Sequence, residues 1–329
     1  MGCSRYTGFV PPPGPLPVIA IAGPTASGKS HLALRLAREF GGEIVNCDSI
    51  QMYRGFDIGA AKPAADELAE IPHHLIDVLD ADGESNAGHW ARLAEESIRS
   101  ISGRGALPVI AGGTGFYLSA LFEGLAPGPE RDPELRVRLA TREARRSGFL
   151  HRLLRRLDPA TAKRIHPNDL NKLTRAVEIC AAAGIPASEL FAGGRRGLVG
   201  YRALKLVLNP ERGLLQEVIR RRAEAMWSAG LVAEVRGLLK GGVARTAKPF
   251  ESLGYKEALA FIEGRMSEAE ALDRITIETR QYAKRQLTWF RREDEVVWLQ
   301  GFGHEEGVAE EAERLVRGFL GEFTYMKVC

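Results

Sequence analysis

Cysteines and long apolar runs are both scarce in this sequence. The four cysteines include no C-x-x-C pair and have no histidine at metal-ligand spacing: Cys3, Cys47, Cys180 and Cys329. This pattern predicts reduced thiols and a cytoplasmic protein, and it argues against a zinc site or a disulfide framework. The adjacent His73 and His74 lack a third ligand, which favours a packed or hydrogen-bonded pair over a metal site. No apolar run approaches the roughly 20 residues of a membrane span, so we expect no membrane partner.

A secretory signal is also missing from the start of the sequence. Residues 1–16 contain four prolines and lack the apolar segment of a signal peptide. Their composition predicts a disordered leader. The whole sequence of 329 residues is 45% apolar, which is enough to fill the core of one large domain or two moderate ones.

The most specific motif is the phosphate-binding pattern G-x-x-x-x-G-K-[ST], which residues 23–30 match at every specified position. The motif follows an apolar run at residues 18–22 and precedes a helical pattern formed by Leu32, Leu36 and Phe40. This order of strand, loop and helix is the context that the motif requires. We therefore predict a diphosphate-binding loop formed by Gly23, Pro24, Thr25, Ala26, Ser27, Gly28, Lys29 and Ser30.

The residue types in this loop suit a bound anion. Gly23 and Gly28 allow a tight turn that points several backbone N–H groups inward, and the following helix adds its positive N-terminal end. We expect Lys29 to reach the outer phosphate and the Ser30 hydroxyl to bind Mg²⁺ as the cofactor. The motif does not distinguish ATP from another diphosphate ester.

Polar residues follow two more predicted buried strands, at residues 43–47 and 107–111. Asp48 follows the first strand, and Thr114 lies just after the second. Because the carboxyl ends of parallel strands meet at one edge of a sheet, both residues face the same crevice as the phosphate-binding loop. Position alone leaves three roles open for Asp48: a Mg²⁺ ligand, a general base, or a residue that only forms a turn.

Residues 125–199 differ from the rest of the sequence in pattern and charge. A Gly- and Pro-rich stretch at 124–129 marks the boundary, and the following residues show helical patterns without a strand signal. Between residues 131 and 156, nine arginines and three acidic residues give a local net charge of +6. Arginine suits phosphate groups, although a solvated helix face is the alternative interpretation of such a run.

These patterns predict an α/β protein with a P-loop NTPase-like parallel sheet, similar to nucleotide kinases, and an inserted helical subdomain. Strand patterns return at residues 203–208 and 296–299. We assign residues 17–124 and 200–329 to the catalytic core and residues 125–199 to the Arg-rich insertion. Two aromatic residues at the end of the predicted helix 267–290 are expected to pack in the core rather than to stack on bases: Trp289 and Phe290.

Several ordered blocks resemble the tRNA dimethylallyltransferase family, the isopentenyl transferases that modify the adenosine beside the anticodon. The resemblance extends over about residues 17–300 and is carried by residues 23–30, 48–63, 112–117, 164–169, 222–235, 254–256 and 284–290. It implies transfer of a dimethylallyl group from dimethylallyl diphosphate to N6 of that adenosine, with release of pyrophosphate. It also implies that the partner is tRNA, bound at the anticodon stem-loop. We expect a monomer, although the sequence does not reveal the oligomeric state.

The resemblance also implies roles for individual residues. Asp48 matches the family's base at N6, and Arg222 and Thr25 match residues near the bridging oxygen of the diphosphate. The Arg-rich insertion would bind phosphates of the anticodon stem. The implied tRNA contacts are Asp48, Ser49, Ile50, Gln51, Thr114, Arg136, Asn171, Lys172, Arg175, Glu251, Gly254, Tyr255 and Lys256.

Two departures from the family's pattern concern substrate contacts: Ala60 stands where many members have Thr, and Glu251 where some have Arg.

Two other activities are compatible with the same phosphate-binding loop. One is an isopentenyltransferase that acts on free adenine nucleotides. The other is a small-molecule P-loop kinase that uses the insertion as a lid.

Overall fold

The computed structural model describes residues 14–126, 128–192, 194 and 197–325. The chain divides into an α/β unit, which runs up to Leu121 and resumes at Leu198, and a helical unit, Phe122–Gly197. The boundaries predicted from the sequence lie a few residues later, after residues 124 and 199. Most of the predicted leader lies outside the described residues, but Leu16, its last residue, already begins the first strand.

A parallel sheet forms the centre of the α/β unit. Within the described residues it has six strands: β1 (Leu16–Ala22), β2 (Gly42–Asn46), β3 (His73–His74), β4 (Leu107–Ala111), β5 (Tyr201–Leu208) and β6 (Val296–Leu299). Their order across the sheet is β3-β2-β4-β1-β5-β6, and every neighbouring pair is parallel. In β1, Ile19 lies beside Val109 of β4 and Leu204 of β5. The predicted α/β class is therefore confirmed, although β3 was not predicted.

Helices make up most of the remaining described residues. They are α1 (Lys29–Phe40), α2 (Ala65–Glu70), α3 (Ala87–Gly103), α4 (Gly115–Phe122), α5 (Pro133–Arg145), α6 (Phe149–Leu157), α7 (Pro159–Arg164), α8 (Leu170–Ala183), α9 (Ala187–Ala192), α10 (Arg212–Ser228), α11 (Leu231–Lys240), α12 (Tyr255–Ile262), α13 (Glu268–Phe290) and α14 (Glu306–Tyr325). Helices α5 to α9 lie in the helical unit. None of these described helices has both the length and the apolar composition that crossing a membrane requires.

One apolar cluster fixes α1 against the sheet. Leu32 and Leu36 of α1 and Val316 of α14 are fully buried in a cluster that contains Ile19 and Ile21 of β1. Each buried aliphatic side chain contributes about 1.5–3 kcal/mol relative to an exposed one. This packing keeps the N-terminus of α1, and the loop that precedes it, at the carboxyl edge of β1.

A second apolar cluster supports the loop that follows β2. The Phe56 ring meets the rings of Phe250 and Tyr255 edge to face, with centroids 5.2 and 5.0 Å apart. Leu231 and Val235 of α11 are buried in the same cluster. The cluster therefore ties the loop after β2 to α11 and α12.

The two histidines of β3 are hydrogen-bonded, as the sequence predicted. His73 Nδ1 donates to the Ile71 carbonyl oxygen at 2.7 Å, and His74 Nε2 donates to Glu43 at 2.7 Å. Across the described part of the chain, no group of three or more His, Cys, Asp or Glu side chains is arranged to hold a metal ion.

The helical unit has a separate apolar core. Leu139 of α5, Leu154 of α6 and Leu173 of α8 are buried together. Three of its helices begin after an aspartate whose side chain accepts a backbone N–H of the first turn: Asp132, Asp158 and Asp169.

Candidate active site

The phosphate-binding loop, residues 23–30, connects β1 to α1 and needs glycine at two positions. Gly23 has a φ of 145° and Gly28 a φ of 85°, in the region that favours glycine. A Cβ on Gly23 would lie 3.0 Å from the Leu208 carbonyl oxygen, and one on Gly28 would lie 2.9 Å from the Gly303 amide nitrogen. Both conformation and space therefore exclude a larger residue at these positions.

The start of α1 is positively charged. The helix begins at Lys29, and its first turn contains no acidic residue. The Lys29 ammonium donates a hydrogen bond of 2.7 Å to the Pro24 carbonyl oxygen. Burial and the nearby Arg222 guanidinium lower the pKa of Lys29 to about 8, while Asp48 opposes this shift. An anion bound beside the two cations would relieve their repulsion.

Arg222 is the last of three consecutive arginines on α10, and its surroundings differ from those of the other two. Arg220 and Arg221 pair with Glu217 at 2.7 and 2.8 Å. By contrast, Arg222 has no hydrogen-bond or ion-pair partner among the residues that the structure describes. Burial lowers its pKa, and Asp48 opposes that shift. Arg222 is thus a partly buried cation that is available to a ligand.

Asp48 follows β2 and is held in a defined turn. Its backbone N–H donates to Asn46 Oδ1 at 2.9 Å, and its carbonyl oxygen accepts from Asn46 Nδ2 at 3.0 Å. Asn46 is itself fixed by Trp90, whose indole N–H donates to its carbonyl oxygen at 2.9 Å. Asp48 Oδ1 accepts the Ile50 N–H at 2.9 Å, and Oδ2 has no hydrogen bond to the described residues. One carboxylate oxygen is therefore positioned and the other is available.

A cavity of about 400 Å³ brings the three predicted catalytic residues together. Thr25 of the phosphate-binding loop, Asp48 and Arg222 all border it. Its volume lies within the range of about 300–1,000 Å³ that is typical of small-molecule sites. The Asp48 carboxylate and the Arg222 cation can therefore act on two molecules that are bound in the same cavity.

Several residues with predicted tRNA contacts line the same cavity: Ser49, Ile50, Glu251, Gly254 and Lys256. Two others make internal contacts. Gln51 Nε2 donates to the carbonyl oxygens of Ala60 and Ala61, both at 3.2 Å. Tyr255 is fully buried, and its hydroxyl donates to Glu234 at 2.6 Å. Its side chain supports the cavity from inside the core and does not reach the surface.

Helix α13 contributes two residues to which the sequence analysis gave no role. Gln286 accepts the Thr25 N–H at 2.8 Å and donates to the Gly113 carbonyl oxygen at 2.8 Å. It therefore joins the phosphate-binding loop to the loop after β4. Tyr282 lines the cavity, where burial and the nearby Asp48 raise its pKa to about 12, while Thr114 opposes this shift. Because the two residues are one helical turn apart, the spacing could have identified them as neighbours on one face.

The predicted tRNA-binding residues of the helical unit have different surroundings. Arg136 and Arg175 both bind the fully buried Glu178, at 3.0 and 2.7 Å. Burial favours the protonated acid, but these two guanidinium groups outweigh it and lower the pKa of Glu178 to about 2. Asn171 and Lys172 are exposed. The two arginines thus have a buried structural contact, whereas Asn171 and Lys172 are at the surface, where Lys172 pairs with Asp169 at 2.8 Å.

Ser30, the predicted Mg²⁺ ligand, lies in the first turn of α1 and is exposed. Mg²⁺ keeps several water molecules and needs only one or two protein ligands beside phosphate oxygens. A single hydroxyl next to the phosphate-binding loop is compatible with such a site, so Mg²⁺ at Ser30 stays a prediction.

Comparison with known proteins identifies a family over most of the chain. The family model for IPP transferase matches residues 51–293. A tRNA dimethylallyltransferase of Solibacter usitatus is 54% identical, over 93% of this chain and 100% of that protein. A tRNA dimethylallyltransferase of Koribacter versatilis is 47% identical, over 91% of this chain and 98% of that protein.

Solved structures show the same likeness. The full-length tRNA isopentenylpyrophosphate transferase of Bacillus halodurans has a TM-score of 0.70 and 34% identity, covering 95% of this chain and 99% of that chain. A eukaryotic dimethylallyltransferase, described as acting on tRNA, has a TM-score of 0.80 and 26% identity. The match covers 93% of this chain and 80% of that chain. The predicted P-loop NTPase-like fold is thereby confirmed. The chain belongs to the IPP transferase family, the family of the tRNA dimethylallyltransferases that it resembles in sequence.

Proposed function

We propose that this chain transfers the dimethylallyl group of dimethylallyl diphosphate to N6 of the adenosine beside the anticodon of tRNA, releasing pyrophosphate. The observation that carries the proposal is the single cavity bordered by Asp48, Arg222 and Thr25. The names of the relatives and of the structural neighbours support the same reaction. Because tRNA is the acceptor, the proposal places the enzyme in the cytoplasm.

The departing diphosphate gains negative charge as the allylic C–O bond breaks. The backbone N–H groups of residues 23–30 and the N-terminus of α1 supply fixed dipoles for this charge. Lys29 and Arg222 lie near enough for one to shift the pKa of the other, which supports a shared role at one anion. Thr25 borders the same cavity as Arg222, and we assign its hydroxyl to a contact with the bridging oxygen of the diphosphate. Mg²⁺ at Ser30, when bound, would stabilise charge on the phosphate oxygens.

The adenine amino group is a weak nucleophile because its lone pair is delocalised into the ring. We assign the free oxygen of Asp48 to a hydrogen bond with N6, since the other oxygen is held by Ile50 at 2.9 Å. The N6 lone pair forms the new bond to C1 of the dimethylallyl group. The electron pair of the C1–O bond leaves with the diphosphate, and one N6 proton passes to Asp48.

An adenosine in a stem-loop can reach Asp48 only after it leaves its stack, which costs a few kcal/mol. Contacts elsewhere on the RNA must therefore offset this cost. We assign phosphate binding to six exposed arginines of the helical unit whose side chains have no hydrogen bond or ion pair in the described structure: Arg131, Arg138, Arg145, Arg146, Arg155 and Arg156.

The proposal is tested by following a label on C1 of dimethylallyl diphosphate. The protein is incubated with unmodified tRNA, which is then digested to nucleosides. The expected product is labelled N6-dimethylallyladenosine with an equal amount of pyrophosphate. Label that reaches AMP but not tRNA would indicate a free-nucleotide isopentenyltransferase. Transfer of the γ-phosphate of ATP, with the allyl label unmoved, would indicate a kinase.

A further inference from the structure

Two exposed aromatic rings lie beside the loop that follows β4. Trp289, near the end of α13, is 38% exposed, and Phe116, in the first turn of α4, is 50% exposed. The rings meet edge to face, with centroids 6.1 Å apart and an angle of 72° between their planes. The expectation of core packing holds for Phe290, which is 2% exposed, but is wrong for Trp289. Each ring leaves a large part of its apolar surface exposed to water, and the two exposed parts adjoin, which is typical of a surface that binds a partner.

Several contacts fix the orientation of the Trp289 ring. Its indole N–H donates to Glu293 at 2.8 Å, and the same carboxylate oxygen accepts the Ser119 hydroxyl at 2.7 Å. Gly115 lies against the indole, since a Cβ there would be 2.3 Å from Trp289 Cδ1. The ring is therefore ordered before any partner binds, which lowers the entropic cost of binding.

The aromatic pair lies on α13 and on the helix after β4, close to residues that line the candidate active site. Phe116 comes two residues after Thr114, which lies near enough to Tyr282 in the cavity wall to lower the pKa of that tyrosine. Tyr282, Arg285 and Trp289 follow one another at about one-turn intervals, so they share one face of α13. Arg285 also lines the cavity, and its guanidinium lies 5.8 Å from the centre of the Tyr282 ring. At 1.5 Å per residue, Trp289 is about 10 Å further along the helix than Tyr282.

The charges on this end of α13 favour an anionic partner. Its last two turns carry Lys284 and Arg285 and contain no acidic residue. Arg291 and Arg292 follow directly and are exposed, and their side chains have no hydrogen bond or ion pair within the described ranges. Three acids come next: Glu293 is bound to Trp289, and Asp294 and Glu295 are exposed beyond the end of the helix. An aromatic surface among unpaired cations is typical of sites that bind single-stranded nucleic acid.

We propose that Trp289 and Phe116 form a stacking surface for an unpaired base that neighbours the extruded adenosine. Extrusion removes a stacking partner from the adjacent bases, and the aromatic pair replaces it. The inference deepens the proposed function and rests on it, because it takes RNA as the acceptor. Stacking of one base on an aromatic side chain corresponds to about 5- to 150-fold in affinity.

The first test compares kinetic constants for an anticodon stem-loop RNA. Trp289→Ala should raise the KM for RNA by about 5- to 150-fold while kcat changes less than about threefold. Trp289→Phe should restore most of the affinity, and Phe116→Ala should raise KM in the same direction. Ile277→Ala is the matched control, since Ile277 is 53% exposed on the same helix and lies outside the cavity wall. An unchanged KM in Trp289→Ala would overturn the proposal.

The second test identifies the base. Stem-loop RNAs are made with one abasic site at each loop position in turn. If a base stacks on Trp289, removing that base should weaken binding to the wild-type protein and should abolish the additional effect of Trp289→Ala. The same effect of Trp289→Ala on every abasic RNA would overturn the stacking contact and leave only a structural role.

A fluorescence measurement separates this inference from the proposed function. The fluorescence of 2-aminopurine placed beside the target adenosine should be quenched when wild-type protein binds, and less so with Trp289→Ala. This signal reports stacking without any chemistry. Quenching without prenylation would contradict the proposed reaction alone, whereas prenylation without a Trp289-dependent signal would contradict the stacking surface alone.

Discussion

Removing unpaired arginines from the helical unit should flatten the salt dependence of tRNA binding. Arg138, Arg145 and Arg146 are exposed and carry no bonded acid in the described structure, so each counts as a full cation. One phosphate contact contributes about 0.9 to the slope of log K against log salt, using the value for duplex DNA. Replacing all three by Gln should therefore reduce the slope by up to about 2.7.

The assay is the fluorescence anisotropy of labelled tRNA over a salt series. Between about 50 and 200 mM salt, the wild-type protein should lose up to about 40-fold more affinity than the triple variant. Arg245 and Arg265 supply a control, because both are paired with Glu263, Arg245 at 2.8 Å. Their replacement by Gln should change the slope by less than about 1. A triple variant with the wild-type slope would refute phosphate binding and identify the arginine run as a solvated helix face.

Two further substitutions test the site and the helical unit. Arg222→Gln should lower kcat by about 100-fold or more, because the cation is assigned to the leaving diphosphate. The Kd for tRNA should change less than about threefold. Loss of tRNA affinity at normal kcat would contradict this role. Glu178→Gln should destabilise the fold by about 3 kcal/mol at pH 7 in urea unfolding, since the pKa of Glu178 is lowered from 4.5 to about 2. A carboxylate with a lowered pKa stabilises the fold above pH 4.5, and this contribution is lost as the pH falls toward 2, so the difference between wild type and variant should shrink over that range. A difference that does not change with pH would contradict the ion-pair account.

Local patterns in the sequence predicted most of the sheet. Strands β4 and β6 have the predicted bounds, because each is an apolar run closed by a turn or a polar residue. Strand β3 could not be predicted, since its two histidines carry no strand pattern. It pairs with Ile44 and Val45 of β2, so its conformation depends on a tertiary contact.

The site was predictable where function depends on a local motif. The phosphate-binding loop and Asp48 follow from residue type and from the ends of parallel strands. Gln286 was missed because it reaches Thr25 from a separation of 261 residues, which a local pattern cannot show. The burial of Tyr255 could not be predicted either, because it depends on packing against Phe56.

The central claim is that Asp48 accepts a proton from N6 beside the diphosphate site. The most direct measurement is the single-turnover rate of Asp48→Asn with saturating dimethylallyl diphosphate and tRNA. Asparagine keeps an oxygen for the Ile50 N–H but cannot accept the proton. The rate should fall by about 10²- to 10⁴-fold while the Kd for tRNA changes less than about threefold. A variant that transfers the dimethylallyl group at the wild-type rate would contradict the account.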